Sequence, residues 1–457
     1  MPVQPARLSR PRGWAACLGL VSLAVVVMLS ALGGGSELRQ TPIVKAVQRA
    51  RGAVVNIRGE KTVAAAAAQA GGLDGARRVN GMGTGVLIDA RGYIITNHHV
   101  VEGVREIQVT LADKKLYTAT LVARDLETDL AIIKIECPQP LPVIPIGTSS
   151  DLMQGEPVIA VGNAYGYEHT VTDGIVSALH RPVQVSDAQF YDDLIQTSAS
   201  INPGNSGGPL LNIDGEMIGI NVAVRAGAQG IGFAIPADKA LAVAAKMLAS
   251  ATVQKVWHGA VIAADTGMGE NGPVVASVEQ KSPAAESGLE PGDVITAVGD
   301  AETRRALDFQ RAMLSRKAGD KVALTIQRGA EKRTLTLALA DLPKEVKTPV
   351  RPAWELLGLD LKPIPAQEFR AAHHTRYRGG LAVTDVRPES PAAGQGIRPG
   401  DVLVGMHVWE TVSLENVSYI LKRTDLAAIS PLKFFILRGN ETLYGYMPLP
   451  VKTAQRQ

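Results

Sequence analysis

The strongest constraint on what this chain can fold into is a repeat near its carboxyl end. Ser282-Pro-Ala-Ala-Glu-Ser-Gly-Leu-Glu-Pro-Gly-Asp-Val-Ile295 recurs 108 residues later as Ser390-Pro-Ala-Ala-Gly-Gln-Gly-Ile-Arg-Pro-Gly-Asp-Val-Leu403, identical at 9 of 14 positions. Both copies encode the same local structure. The serine caps a short helix, proline takes its first position, and Gly288 or Gly396 supplies the left-handed residue that ends it. Pro-Gly then turns the chain into a strand at Asp293 or Asp401. Two copies are too few for a solenoid, which needs about three. They predict two homologous modules in tandem, near 256–342 and 354–450, joined by a proline-flanked linker at 343–353. At roughly 150 residues per domain, 457 residues leave room for one larger unit upstream.

The amino terminus is of a different kind. Arg7, Arg10 and Arg12 are the only charges before Glu37, and an uncharged apolar run fills 14–32. Nineteen residues of helix span about 28 Å, close to a bilayer core. Basic flank followed by apolar core is the order of an export signal or an uncleaved anchor, with the arginines in the cytoplasm. Residues 1–36 are therefore read as signal peptide or signal anchor, and the rest as working outside the cytoplasm, in the periplasm or cell envelope. Without those arginines, 44 basic residues face 44 acidic ones. A neutral body lacks the electrostatics of a nucleic-acid binder. Two cysteines, Cys17 and Cys137, exclude a disulfide framework or a Cys-rich zinc site.

Between 42 and 235 the pattern is of short β-runs broken by turn residues, without alternating helices. The clearest are 84–89, 93–96, 106–112, 116–123, 130–135, 157–161 and 170–179, with a hairpin over 210–218 turning at Asp214-Gly215. This predicts antiparallel barrels or a sandwich. Residues 237–250 read as a helix that closes the unit. Ala64 to Ala68 reads as part of a surface loop.

The chemistry centres on Asn202-Pro-Gly-Asn-Ser-Gly-Gly-Pro-Leu210. A serine among glycines, entering a strand, suits a nucleophile whose neighbouring N–H groups approach an oxyanion. The same letters fit the G-x-S-x-G elbow, but that turn leads into a helix, and here Pro209 and a hairpin follow. Such a serine needs a base and a carboxylate to orient it. His98, His99, His169 and His180 precede it, and spacing alone does not choose His99 over His98, or Asp129 over Asp125 or Asp173.

Several motifs taken together carry a resemblance: Gly83-Thr-Gly-Val-Leu-Ile-Asp, Thr96-Asn-His-His-Val-Val, Thr128-Asp-Leu-Ala, Gly204-Asn-Ser-Gly-Gly-Pro and Gly230-Ile-Gly-Phe-Ala-Ile-Pro236. In this order over about 42–450 the chain resembles the HtrA (DegP/DegS-like) serine proteases. The resemblance implies a mainly β chain, a chymotrypsin-like double β-barrel at 42–250 followed by two PDZ domains. It places the base at His99, the acid at Asp129 and the nucleophile at Ser206, and leaves His98 a polar rim residue. It implies an oxyanion hole from the N–H groups of Gly204 and Ser206, joined by Asn205, and no cofactor. A histidine base must be neutral, so activity should fall below about pH 6.5.

The resemblance also puts Ser200 at the base of the S1 pocket beside Ile201, with no carboxylate for a basic side chain. Small or medium apolar P1 residues are expected. Asn221, Val222 and Ala223 are expected along the cleft edge, pairing with extended substrate. Trp257-His258-Gly259-Ala260 and Leu356-Leu357-Gly358-Leu359 are the corresponding PDZ peptide-binding loops, with His258 standing where an aliphatic residue is usual. Further departures are Ser198 for the family's aspartate and Asn163-Ala-Tyr-Gly for Asn-Pro-Phe-Gly. Expected partners are unfolded polypeptides, C-terminal peptides at the PDZ loops, a homotrimer or multiple of it, and the membrane if the leader is uncleaved. Gly81-Met-Gly-Thr-Gly85 precedes a strand and so is not a phosphate loop. His373-His374, an isolated pair, is read as a solvated loop.

Overall fold

The computed structural model describes residues 37–63, 77–162, 170–186, 189–222, 230–250, 253–263, 272–342 and 353–449, the last without 374, 376, 378, 408, 422–425, 427–429 and 440. The apolar run at 14–32, Ala64 to Ala68, Asn163 to Gly166, His169, Ala223, His374 and the linker over 343–352 lie outside these residues. Among the described residues no helix is long and apolar enough to cross a membrane.

The first unit is two closed barrels, not a sandwich. β1 (Val54–Val63), β2 (Arg77–Asp89), β3 (Tyr93–Asn97), β4 (Ile107–Thr110), β5 (Leu116–Asp125) and β6 (Leu130–Ile135) close in the order β1-β2-β3-β6-β5-β4. β7 (Pro157–Gly162), β8 (Thr170–Ser186), β9 (Gln189–Thr197), β10 (Pro209–Leu211), β11 (Met217–Val222) and β12 (Gly232–Pro236) close in the order β10-β11-β12-β9-β8-β7. Ile94, Ile95, Ile132 and Ile133 are fully buried in the first barrel, and Val158, Ile159, Leu194 and Leu210 in the second. Strands buried this thoroughly read as continuous apolar runs, which is why they are legible. β9 is not: four register shifts interrupt its pairing with β8, so no two-residue period survives.

The expectation of β-runs from residue 42 is corrected at its start. Pro42–Ala50 is a helix, α1, because Thr41 accepts the Val44 N–H at 3.3 Å and proline takes the first turn. α2 (His98–Val101) is one turn at the end of β3, and α3 (Ala237–Leu248) follows β12. The glycines at 83 and 85 sit inside β2, not before it. A Cβ at Gly83 would lie 2.5 Å from Val100, and one at Gly85 2.6 Å from Ile94, so they let α2 and β3 close on β2.

The repeat appears as two modules built alike. The first holds β13 (Ala260–Ile262), β14 (Val275–Val278), α4 (Pro283–Glu286), β15 (Val294–Val298), β16 (Ala301–Glu302), α5 (Ala306–Met313), β17 (Lys321–Arg328) and β18 (Glu331–Ala338). The second holds β19 (Leu359–Pro363), α6 (Ala366–Ala372), β20 (Leu381–Val386), α7 (Pro391–Gly394), β21 (Val402–Met406), β22 (Trp409–Glu410), α8 (Leu414–Leu421), β23 (Leu432–Arg438) and β24 (Glu441–Met447). Ser282 accepts the Ala285 N–H and Ser390 the Ala393 N–H, both at 3.2 Å. Gly288 and Gly396 have φ of 80° and 71°.

One feature of the repeat is not visible in the motif itself. Arg328 makes a fork on Asp293 at 2.7 Å and donates to the Gly288 carbonyl at 2.7 Å. Arg438 does the same to Asp401 and the Gly396 carbonyl at 2.8 Å. The motif aspartate thus ties the helix end to the strand about 35 residues on, through planar bidentate contacts.

The first module packs on the barrels. Ala306, Leu307 and Leu314 share an apolar cluster with Leu241, Ala244 and Leu248 of α3. Asp89, 4% exposed, accepts from Arg91 at 2.8 Å and from Arg311 of α5 at 3.1 Å, while Arg91 also donates to the Leu314 and Arg311 carbonyls. Burial pushes the Asp89 carboxyl up, but the hydrogen bonds and charges of these arginines outweigh it and hold it below the ordinary range.

Candidate active site

Asp129 opens β6 from the left-handed region, with φ of 55°. The turn before it is shaped by Asp125, which accepts the Glu127 N–H at 3.1 Å and the Thr128 hydroxyl at 3.0 Å. Asp125, a rival for the acid on spacing, is therefore a turn former. Asp129 instead faces α2. Its carbonyl accepts the His98 N–H at 2.8 Å and the Asn97 amide at 3.0 Å. Its carboxylate accepts the His99 N–H on Oδ1 at 2.8 Å and meets His99 Nδ1 on Oδ2 at 2.5 Å. The imidazole is thereby held by backbone and ring at once, with Nδ1 as the donor.

The carboxylate has a third donor, which no motif carries. The Tyr191 hydroxyl, on β9, donates to Asp129 Oδ2 at 2.9 Å, and the ring is 6% exposed. A buried carboxylate needs its lone pairs filled, and Tyr191 brings the second barrel to a pair otherwise made by the first. Tyr191 lies in the irregular strand, so no spacing rule exposes it.

The Ser206 turn is seated on the same corner. Thr84 of β2 donates its N–H to the Ser206 carbonyl at 2.9 Å. A Cβ on Gly207 would lie 3.1 Å from the Asn97 nitrogen and 2.2 Å from Thr96 Oγ1, so only glycine lets the turn approach the chain that carries His99. Gly207 has φ of 82° and Gly204 of 103°. Asn205 differs from expectation: its N–H donates to the Asn202 carbonyl at 2.9 Å and is not free for an oxyanion. Gly204 and Ser206 remain the candidate hole donors.

His98 is not a rim residue. It is 5% exposed, neither ring nitrogen has a hydrogen-bond partner among the described residues, and Nε2 lies 3.8 Å from Glu102. Burial holds its pKa below the ordinary histidine value. His180, by contrast, is exposed and pairs with Asp193 at 3.0 Å. Asp173 lies exposed on β8.

Around the serine, the Ser200 carbonyl accepts the Thr172 hydroxyl at 2.8 Å, and Ile201 packs partly buried beside Gly232, where a Cβ would lie 2.6 Å from Ile201 Cγ1. Ser198 accepts the Ile175 N–H at 3.0 Å, so a hydroxyl acts as acceptor at the position where an aspartate was expected. Asn221 does not offer a free edge. Its N–H and carbonyl pair with Gly208 and Gly207, and its amide donates to the Pro209 carbonyl. Val222, 2% exposed, pairs with Phe233.

In the modules, Trp257 pairs through both main-chain groups with Ala340. His258 Nδ1 accepts the Ala260 N–H at 3.1 Å and its ring packs edge-on to Phe309. Gly259 and Gly358, with φ of 75° and 77°, lie against Ser282 and Ser390, where a Cβ would come within 2.2 Å. In the second loop the Gly358 N–H reaches the Trp354 carbonyl at 3.2 Å, Leu356 is partly exposed, and Leu357 and Leu359 are buried. His373 meets the Gly439 carbonyl at 3.2 Å. No group of three or more candidate metal ligands occurs among the described residues.

Burial lowers the His258 pKa to about 4. In the unfolded chain it would be near 6.5, so the unfolded state binds more protons between these values. Stability is full above about pH 6.5 and falls as pH drops toward 4. His258 contributes about 2 kcal/mol of that loss between pH 7.5 and 5, and His98 adds in the same direction. Urea midpoints at the two pH values should differ accordingly, and His258→Leu should flatten the difference. An unchanged slope in the variant would contradict this.

Residues 83–220 match the family described as trypsin-like peptidase domain, and 246–339 match PDZ domain. A Halomonas elongata protein named probable periplasmic serine endoprotease DegP-like is 34% identical over 386 residues, covering 81% of this chain and 79% of that one. A Haemophilus influenzae protein named probable periplasmic serine protease do/HhoA-like is 33% identical, covering 80% and 78%. The solved HtrA-type protease AlgW with decapeptide is 34% identical over 66% of this chain and 98% of that one, with a TM-score of 0.40. The sequence relatives, matched over most of their length, carry the assignment: the chain belongs to the DegP-like, HtrA-type serine endoproteases and carries a PDZ domain.

Proposed function

We propose that this endoprotease cleaves unfolded or damaged polypeptides of the periplasm through His99, Asp129 and Ser206, without ATP. The observation that supports it best is the Asp129 carboxylate, which holds His99 by ring and backbone beside the Ser206 turn. Ser206 Oγ attacks the scissile carbonyl as His99 takes its proton. Gly204 and Ser206 N–H groups stabilise the oxyanion. His99 then protonates the leaving amine, and water repeats the sequence to release the acyl group. Asp129 keeps the imidazole oriented and stabilises its charged form.

Ser200 and Ile201 are the proposed S1 wall. The close approach of Gly232 to Ile201 supports a shallow apolar pocket for Val, Ala or Ile. The relatives' names place them in the periplasm, and we extend that location to this chain, with anchoring by 14–32 if the leader is retained. A homotrimer is the proposed assembly. Casein cleavage without added peptide tests the reading, with no cleavage under any condition as the contrary result. Cleavage only with one C-terminal peptide would favour a narrow signalling role.

The second module, 354–450, is proposed as another PDZ domain, because its cap, glycine and aspartate–arginine fork repeat the first. In the first loop the His258 ring takes the Ala260 N–H that a peptide carboxylate would use. His258→Leu should free it and tighten carboxylate-peptide binding there about tenfold. Calorimetry of the intact chain with a free-acid peptide and its amide measures this; equal binding of both forms would contradict it.

A further inference from the structure

We propose that Thr84 is the positioning residue of the oxyanion hole, acting through its side-chain hydroxyl. This rests on Ser206 being the nucleophile. The two hole donors, Gly204 and Ser206, flank the peptide bond between Gly204 and Asn205. Both polar ends of that peptide are held. Its carbonyl, Gly204 O, accepts the Thr84 hydroxyl at 2.7 Å, and its N–H donates to the Asn202 carbonyl at 2.9 Å. Thr84 adds a second contact, its own N–H to the Ser206 carbonyl at 2.9 Å. One residue of the first barrel therefore grips both donor residues of the second.

Thr84 is itself immobilised. It is 0% exposed and pairs with Asn56 of β1, and its carbonyl accepts the Thr96 hydroxyl at 2.7 Å. Gly208 passes so close that a Cβ there would lie 2.9 Å from Thr84 Cγ2. The chain from Thr96 through Thr84 to Gly204 starts three residues before His99, so it links the strand that delivers the base to the peptide that aims the hole. A buried hydroxyl so placed fixes the rotation of a peptide that glycine at 204, with φ of 103°, would otherwise leave loose. Preorganised donors lower the barrier only if aimed before the charge develops.

Thr84→Val removes the hydroxyl at nearly constant shape, and Thr84→Ser restores it. In the full-length protein, Thr84→Val should lower kcat for a peptide anilide about 10- to 100-fold with KM unchanged. Inhibition by a peptide boronic acid, whose tetrahedral adduct occupies the hole, should weaken by a similar factor, while inhibition by the product peptide stays constant. Thr84→Ser should recover kcat to within about threefold. Unchanged kcat in Thr84→Val would overturn the proposal. So would a loss shared equally by product-peptide affinity and boronate affinity, or one that Thr84→Ser does not restore. Ser206→Ala run alongside distinguishes the two failures: if it retains activity, the nucleophile assignment falls first.

Discussion

Ser206→Ala should lower kcat toward an unfolded protein substrate by about 10⁶-fold while leaving the urea midpoint where it is. The two halves of this expectation come from different atoms. The frame of the turn is made by main chain: Thr84 N–H to the Ser206 carbonyl, and Gly207 N–H to the Asn221 carbonyl. Alanine keeps all of it, and the glycines on either side keep their φ. What disappears is the Oγ proposed to form the acyl-enzyme. Hole and binding then give only the residual acceleration expected of a site without a nucleophile, about 10³–10⁴ over water. Casein hydrolysis followed by peptide release measures the first half and circular dichroism in urea the second. A loss below about 100-fold would mean that the chemistry does not pass through this serine.

Asp129→Asn should cost about 10⁴ in kcat, more than its small change in shape suggests. The carboxylate accepts from three donors: the His99 N–H on one oxygen, and His99 Nδ1 and the Tyr191 hydroxyl on the other. An amide has one acceptor oxygen. If it serves the His99 backbone, its NH₂ faces Nδ1 and forces the proton to Nε2, the atom that must take the Ser206 proton. If it serves Nδ1, the NH₂ opposes a buried N–H. Either outcome sets the base in the wrong tautomer or moves it. Steady-state kinetics from pH 6 to 10 check this, with activity within tenfold of the parent at neutral pH as the contrary outcome.

The parts legible in the sequence are those a local pattern or a motif carries. Buried runs such as 130–133 and 158–161 show as unbroken apolar stretches, and the cap serines at 282 and 390 show by their spacing to glycine. The barrels as opposed to a sandwich are not encoded locally; closure depends on β1 pairing with both β2 and β4. Thr41-Pro42 is the start signal of α1, and the β-branched Ile43 and Val44 that follow it obscure it. At the site, residues drawn from one motif were reachable, whereas Tyr191 and Thr84 act through contacts across 62 and 120 residues. In the sequence Thr84 shows only as the first residue of the β-run 84–89, because the partner of its hydroxyl is remote. A polar residue at the variable position of a motif points to the surface, but α2 turns His98 inward.

The claim at the centre is that Ser206 is the activated nucleophile of a HtrA-type endoprotease. Its most direct measurement is to treat the full-length protein with a fluorophosphonate and locate the adduct by peptide mass spectrometry. The account predicts a single adduct, on the peptide that contains Ser206, and its loss in His99→Ala. An adduct on another serine, or casein cleavage by a protein that takes none, would contradict it.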